Sequence, residues 1–146
     1  MLRFIKLLPL VFLITVAASC KKDSASTTPP ANVNFAATLS GASETPSNAS
    51  PATGSATGVY NPTTKILTVT IAYSGITVTV AHLHKGAVGV SGPPEFPLAV
   101  TASPISFTSS ALSTTDETDL LENKYYVNLH SSAFPGGEIR GQLNKQ

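Results

Sequence analysis

Three histidines are the residues most able to do chemistry in this sequence. His82 and His84 stand two apart in Ala81-His82-Leu83-His84. On a β-strand side chains alternate, so both imidazoles would leave the same face. His130 ends the segment Tyr125–His130, sharing a face with Tyr126 and Asn128 while Val127 and Leu129 take the other. After the next loop, Glu138, Arg140 and Gln142 fall on one face of a last strand. Pairing these two strands as a hairpin gathers Asn128, His130, Glu138 and Arg140 into one polar patch. If the His82–His84 strand lies alongside, three imidazoles converge.

Two chemistries fit that set. Imidazole suits copper and zinc, so His82, His84 and His130 form a candidate metal site, with Glu138 or water in a fourth position. The competing reading is structural. Histidines at strand ends hydrogen-bond buried carbonyls, and Glu138 with Arg140 can be an ion pair closing the sheet. The structural reading is favoured, because His-x-His with no third ligand nearby in the chain is a limited signal.

Catalysis finds little support. No serine sits in a Gly-x-Ser-x-Gly elbow, and no carboxylate pair stands out for glycoside chemistry. The expectation is a protein without evident catalytic activity.

Cys20 is the chain's only cysteine, so an internal disulfide is impossible. Ahead of it lie Arg3 and Lys6, an apolar run over residues 7–16, and the small residues Ala17, Ala18 and Ser19. That order is the pattern of a secretory signal peptide, and the run falls short of the roughly 20 apolar residues that span a bilayer. Residues 16–20 resemble a lipobox, in which the cysteine is lipidated. Residues 1–19 are thus expected to be a cleaved signal peptide, and Cys20 to carry the lipid that tethers the chain to the membrane. Lys21 follows, with no aspartate to suggest inner-membrane retention, which points to the outer membrane on its periplasmic side or at the cell surface. Residues 20–32 are polar, with Pro29 and Pro30, and read as a flexible linker.

Loss of Arg3 and Lys6 reduces nine basic residues to seven, against eight acidic ones. A near-neutral chain has no basic block to follow a phosphate backbone, so nucleic acid is not an expected partner. The partners left are the membrane and an unknown protein or glycan.

The elements that must position these residues read as strands. Phe35, Ala37 and Leu39 alternate on a first strand. Residues 56–60 and 66–73 form a hairpin around Asn61-Pro62-Thr63-Thr64, with Leu67, Val69, Ile71 and Tyr73 on one face. Residues 76–84 are a strand carrying the histidine pair. Residues 85–95 are a loop, and residues 97–100 and 105–108 are short strands. Thr114 to Glu117 matches a capping box, which predicts a short helix over residues 115–123 with Leu120 and Leu121 facing the core. Residues 125–130 and 138–143 are the closing strands. The expected domain, residues 33–146, is therefore all-β: an antiparallel sandwich- or barrel-like fold with one short helix.

Residues 35–46 and 52–58, the Ala81-His82-Leu83-His84 element, Tyr126-Val127-Asn128-Leu129-His130 and Phe134-Pro135-Gly136-Gly137-Glu138-Ile139-Arg140-Gly141-Gln142-Leu143 together resemble the CHRD domain, the module named after chordin. The likeness covers residues 35–143. It implies an extracellular β-sandwich-like domain in an exported lipoprotein, acting as a binding or scaffold module. Lys85 departs from the glycine that often follows His-x-His in that family, which puts the following turn in doubt. The histidine element is also similar to that of copper-zinc superoxide dismutase. That enzyme needs more histidine ligands and a disulfide, so its activity is not expected here.

Overall fold

Alternating apolar residues, not helix-forming runs, shape this chain. The computed structural model describes residues 28–146. The expected signal peptide, Cys20 and the linker up to residue 27 lie outside them.

The first strand, β1 (Val33–Ser40), buries Phe35, Ala37 and Leu39 and turns the intervening residues outward. A single 3-10 turn (Gly41–Ser43) follows. Strands β2 (Thr53–Asn61) and β3 (Ile66–Ser74) form the expected hairpin, in register from Thr53↔Ser74 to Asn61↔Ile66. Its turn is closed by Asn61, whose side-chain oxygen accepts from the backbone N–H groups of Thr63 and Thr64 at 2.9 and 3.0 Å. Leu67, Val69 and Ile71 point inward.

Strand β4 (Val80–Lys85) begins later than the sequence pattern suggests. Ile76 and Val78 precede it outside any strand and pack against the core. The loop that follows is shorter than expected, because β5 (Pro94–Pro97) pairs with β4. Residues 98–100 are not a strand, and Leu98 is buried as a core residue. Strand β6 (Ile105–Thr108) is as expected. The helix, α1, spans Thr114–Leu121. Its cap is Ser113, not Thr114: the Ser113 hydroxyl accepts from the Asp116 backbone N–H at 3.1 Å and donates to the Asp116 carboxylate. Leu120 is fully buried and Leu121 packs beside it. Strands β7 (Tyr125–His130), β8 (Ile139–Gln142) and the short β9 (Asn144–Lys145) complete the chain.

All the pairings are antiparallel and join one sheet in the order β5-β4-β7-β8-β1-β2-β3-β6, with β9 beside β1. The sheet curls into a half-barrel. Its two edge strands meet through their side chains, with the rings of Phe96 on β5 and Phe107 on β6 5.4 Å apart. The concave interior holds Leu39, Leu67, Ile71, Leu83, Ile105, Leu120, Leu129 and Ile139, all fully buried. Each such side chain contributes about 1.5–3 kcal/mol through removal from water.

One strand departs from the alternation. Every residue of β7 is buried. Tyr125, Val127 and Leu129 belong to the apolar interior, whereas Tyr126, Asn128 and His130 lie on the convex face. Loops cover that face, and this produces a polar layer shielded from water.

Candidate metal centre

The polar layer is built by cross-strand register. His82 on β4 sits opposite Asn128 on β7, and Asn128 sits opposite Arg140 on β8. One step along, His84 is opposite Tyr126 and Tyr126 is opposite Gln142. Paired residues share a face, so this ladder places His82, His84, Asn128, Tyr126, Arg140 and Gln142 together, with His130 following Asn128 by two.

The three histidines converge. Each offers a ring nitrogen, and these atoms all lie within 4.8 Å of one another. His82 stands edge-on to both His84 and His130, at centroid separations of 5.3 and 5.4 Å. Two of the rings are locked by backbone carbonyls. His84 Nδ1 lies 2.9 Å from Gly92 O, and His130 Nδ1 lies 2.9 Å from Pro135 O. A carbonyl only accepts, so each Nδ1 carries the hydrogen and each Nε2 keeps a bare lone pair. His84 Nε2, His130 Nε2 and His82 Nδ1 are buried and have no hydrogen-bond partner among the described residues. Tyr126 stacks on His84 at 4.9 Å and fixes the ring plane.

The structural reading accounts for the two carbonyl contacts. It leaves three buried nitrogens unpaired, each a penalty of about 1–3 kcal/mol. A metal ion among them would satisfy all three at once, and carbonyl-anchored histidines are the usual outer support of such ligands. Burial also lowers the basicity of His82 and His84, and repulsion from neighbouring charged forms adds to it; the Gly92 carbonyl opposes this at His84. Neutral imidazoles are the ligating form.

The other members of the expected patch have different roles. Glu138 is neither a fourth ligand nor Arg140's partner. Its carboxylate accepts from the hydroxyls of Ser50, at 2.7 Å, and Ser131. Among the described residues no ion pair joins Glu138 to Arg140. The guanidinium of Arg140 instead lies 3.5 Å above the Tyr126 ring and donates to Val90 O and Ala87 O, both at 3.0 Å. Gln142 reaches Gly86 O and Asn123 O. Thus Arg140, Gln142 and His84 hold down the loop of residues 86–93, while Glu138 and His130 hold the loop of residues 131–137. Asn128 Oδ1 has no partner.

Sequence reasoning missed the third loop over the site. Glu44, Asn48 and Ser50 come from residues 41–52. Asn48 donates to the carbonyls of Gly137 and Glu138, and Ser91 Oγ donates to Thr45 O. Glu44 is 9% exposed with Oε1 unpaired. Burial pushes its carboxyl up to about 7, against the Thr45 backbone N–H and the Arg140 charge, which both favour ionisation. Gly137 makes room here: it has φ +132, and a Cβ would lie 2.7 Å from both Glu44 Oε1 and Asn128 Nδ2. The available signal was Glu44 itself, inside the opening motif.

The family model described as CHRD domain matches residues 35–143, a span holding every residue of the polar layer. No curated protein and no solved structure matches the chain.

Proposed function

The chain belongs to the CHRD-domain family, and from that premise we propose that it is a lipid-anchored binding module of the cell envelope whose ligand is a copper or zinc ion held by His82, His84 and His130. The observation that carries the metal is the convergence of three histidines, each offering a ring nitrogen within 4.8 Å of the others, in a group that also holds three buried, unpartnered imidazole nitrogens. All three donors are nitrogen, and among the described residues no carboxylate or thiolate joins the group. Such a set suits copper and zinc and leaves a coordination position for a further ligand. His82 is less buried than the other two and offers the route by which an ion enters.

The metal reading is tested on a soluble chain beginning at Ser24, titrated with Cu(I), Cu(II) and Zn(II) beside a His82→Ala/His84→Ala/His130→Ala variant. Stoichiometric binding that the variant loses is the expected result. If the chain binds none of these ions, and the variant is merely less stable, the histidines belong to the fold.

The anchor rests on residues 1–20 and the resemblance of residues 16–20 to a lipobox. Two or more acyl chains hold a protein stably at a bilayer, whereas one binds marginally. Cys20→Ala is expected to abolish lipid labelling and release the chain from the membrane fraction. Retention with label intact would refute the anchor.

A further inference from the structure

Beside the metal centre lies a cleft of about 580 Å³ that none of the three histidines lines. Its volume is in the range of small-molecule sites. Its floor is the outward face of β1, β8 and β9. Arg140, Gln142, Asn144 and Gln146 line it at every second position, with Thr38 beside them. One wall is the 3-10 turn with Glu44 and Thr45, and the other is Val88 and Gly89.

The hydrogen-bonding groups along the floor are not uniform. At the Arg140 end the character is donating and positive. Three of the five N–H groups of a guanidinium are used by Val90 O, Ala87 O and Gln142 Oε1, which leaves two uncommitted. At the other end the groups are neutral and both donate and accept. The amide nitrogens of Asn144 and Gln146 each spend one N–H on the carbonyls of Gln142 and Asn144, leaving one N–H on each together with Asn144 Oδ1 and Gln146 Oε1. From position 140 to position 144 an extended chain advances about 13 Å, the length of two sugar rings.

We propose that this cleft binds an acidic sugar, with a uronic carboxylate at Arg140 and hydroxyl groups donating to Asn144 and Gln146. The buried Glu44 carboxyl, 91% removed from solvent by its 9% exposure, faces the same end. In its acid form it donates a hydrogen bond and adds no charge. Ionised, it sets a negative charge beside the incoming carboxylate. Its midpoint near 7 makes binding strongest on the acid side of neutrality. Arg140 from β8 is the charge acting on Glu44; Asn128 from β7, Gly137, and Val88, Gly89 and Ser91 of the 86–93 loop are uncharged. The site stands apart from the metal reading and holds whether or not the histidines bind an ion.

The test is calorimetric titration of the full chain in detergent, metal-free and metal-loaded, with digalacturonate, maltose and inorganic phosphate. Titrations are run at about pH 5.5 and about pH 8.5, either side of the Glu44 midpoint. Digalacturonate is expected to bind, with affinity falling about tenfold or more at the higher pH, while maltose and phosphate bind far more weakly. Glu44→Gln is expected to flatten the pH dependence. Asn144→Ala, at an exposed position, removes a hydroxyl partner and is expected to weaken binding by about tenfold without unfolding the domain. No binding of digalacturonate overturns the proposal. So does maltose or phosphate binding equally well, an unchanged pH profile in Glu44→Gln, or full affinity in Asn144→Ala. Loss of metal binding with digalacturonate binding intact would count against the metal centre alone.

Discussion

Titratable groups in the polar layer pull stability in opposite directions with pH. Burial lowers the folded-state pKa of His82 and His84 below 6.5. Their contribution is therefore present above 6.5 and is lost as pH falls through the lowered values. Glu44 runs the other way. Its folded value near 7 exceeds the ordinary 4.5, so its contribution is present below 4.5 and is lost as pH rises through 7. Over that window the shift is worth on the order of 3 kcal/mol. Glu44→Gln should therefore melt at a higher temperature than the parent above neutrality, and should match it near pH 4.5, in thermal melts of the metal-free chain. Parallel curves across the range would show that Glu44 ionises freely. Nothing in the residues around Glu44 marks its state directly. Period-two spacing was enough to set His82 and His84 on one face, and the closing hairpin set His130 near Asn128. Glu44 reaches the polar layer beside Asn128 and Arg140 through a loop of small polar residues whose path depends on tertiary hydrogen bonds from Asn48 and Ser91.

At the scale of elements, the long strands were legible and their ends were not. Leu67, Val69 and Ile71 alternate without interruption, and β3 follows them. Residues 76–79 alternate equally well in the sequence, yet only Thr79 meets β7 there, donating its backbone N–H to His130 O. Alternation alone cannot distinguish a strand from an extended segment that packs without a paired neighbour. β5 escaped notice because it holds prolines at both ends and pairs as an edge strand, where a missing N–H is tolerated. Lys85 shows why its turn had to be learned from the structure. Its ammonium lies 2.6 Å from Asp116, 3.6 Å from Asp119 and 3.7 Å from Glu95, so it ties the end of β4 to α1 and β5. A glycine there would leave the helix without that tie. The turn after it depends on Gly92, where any Cβ would collide with the Lys85 carbonyl.

For the whole molecule, a single sheet separates two unlike compartments. The concave side holds the apolar interior, and the convex side at β4, β7 and β8 holds the polar layer under three loops. Closure of the half-barrel and assembly of the histidines are therefore separable. The Phe96–Phe107 contact joins the sheet edges, and Phe107 sits on β6, paired with β3, at the far end of the strand order from β4. Phe107 is only partly buried, so Phe107→Ala should lower stability by about 2 kcal/mol, less than a fully buried phenylalanine would lose. Chemical denaturation reads that loss. The same variant should bind Cu(I) or Zn(II) with affinity within about twofold of the parent, since the 86–93 and 131–137 loops and their anchors at Arg140, His84 and His130 are untouched. A large fall in metal affinity would mean that edge closure sets the spacing of β4 and β7. The polar layer would then be strained by the curl of the whole sheet, not held by its own hydrogen bonds.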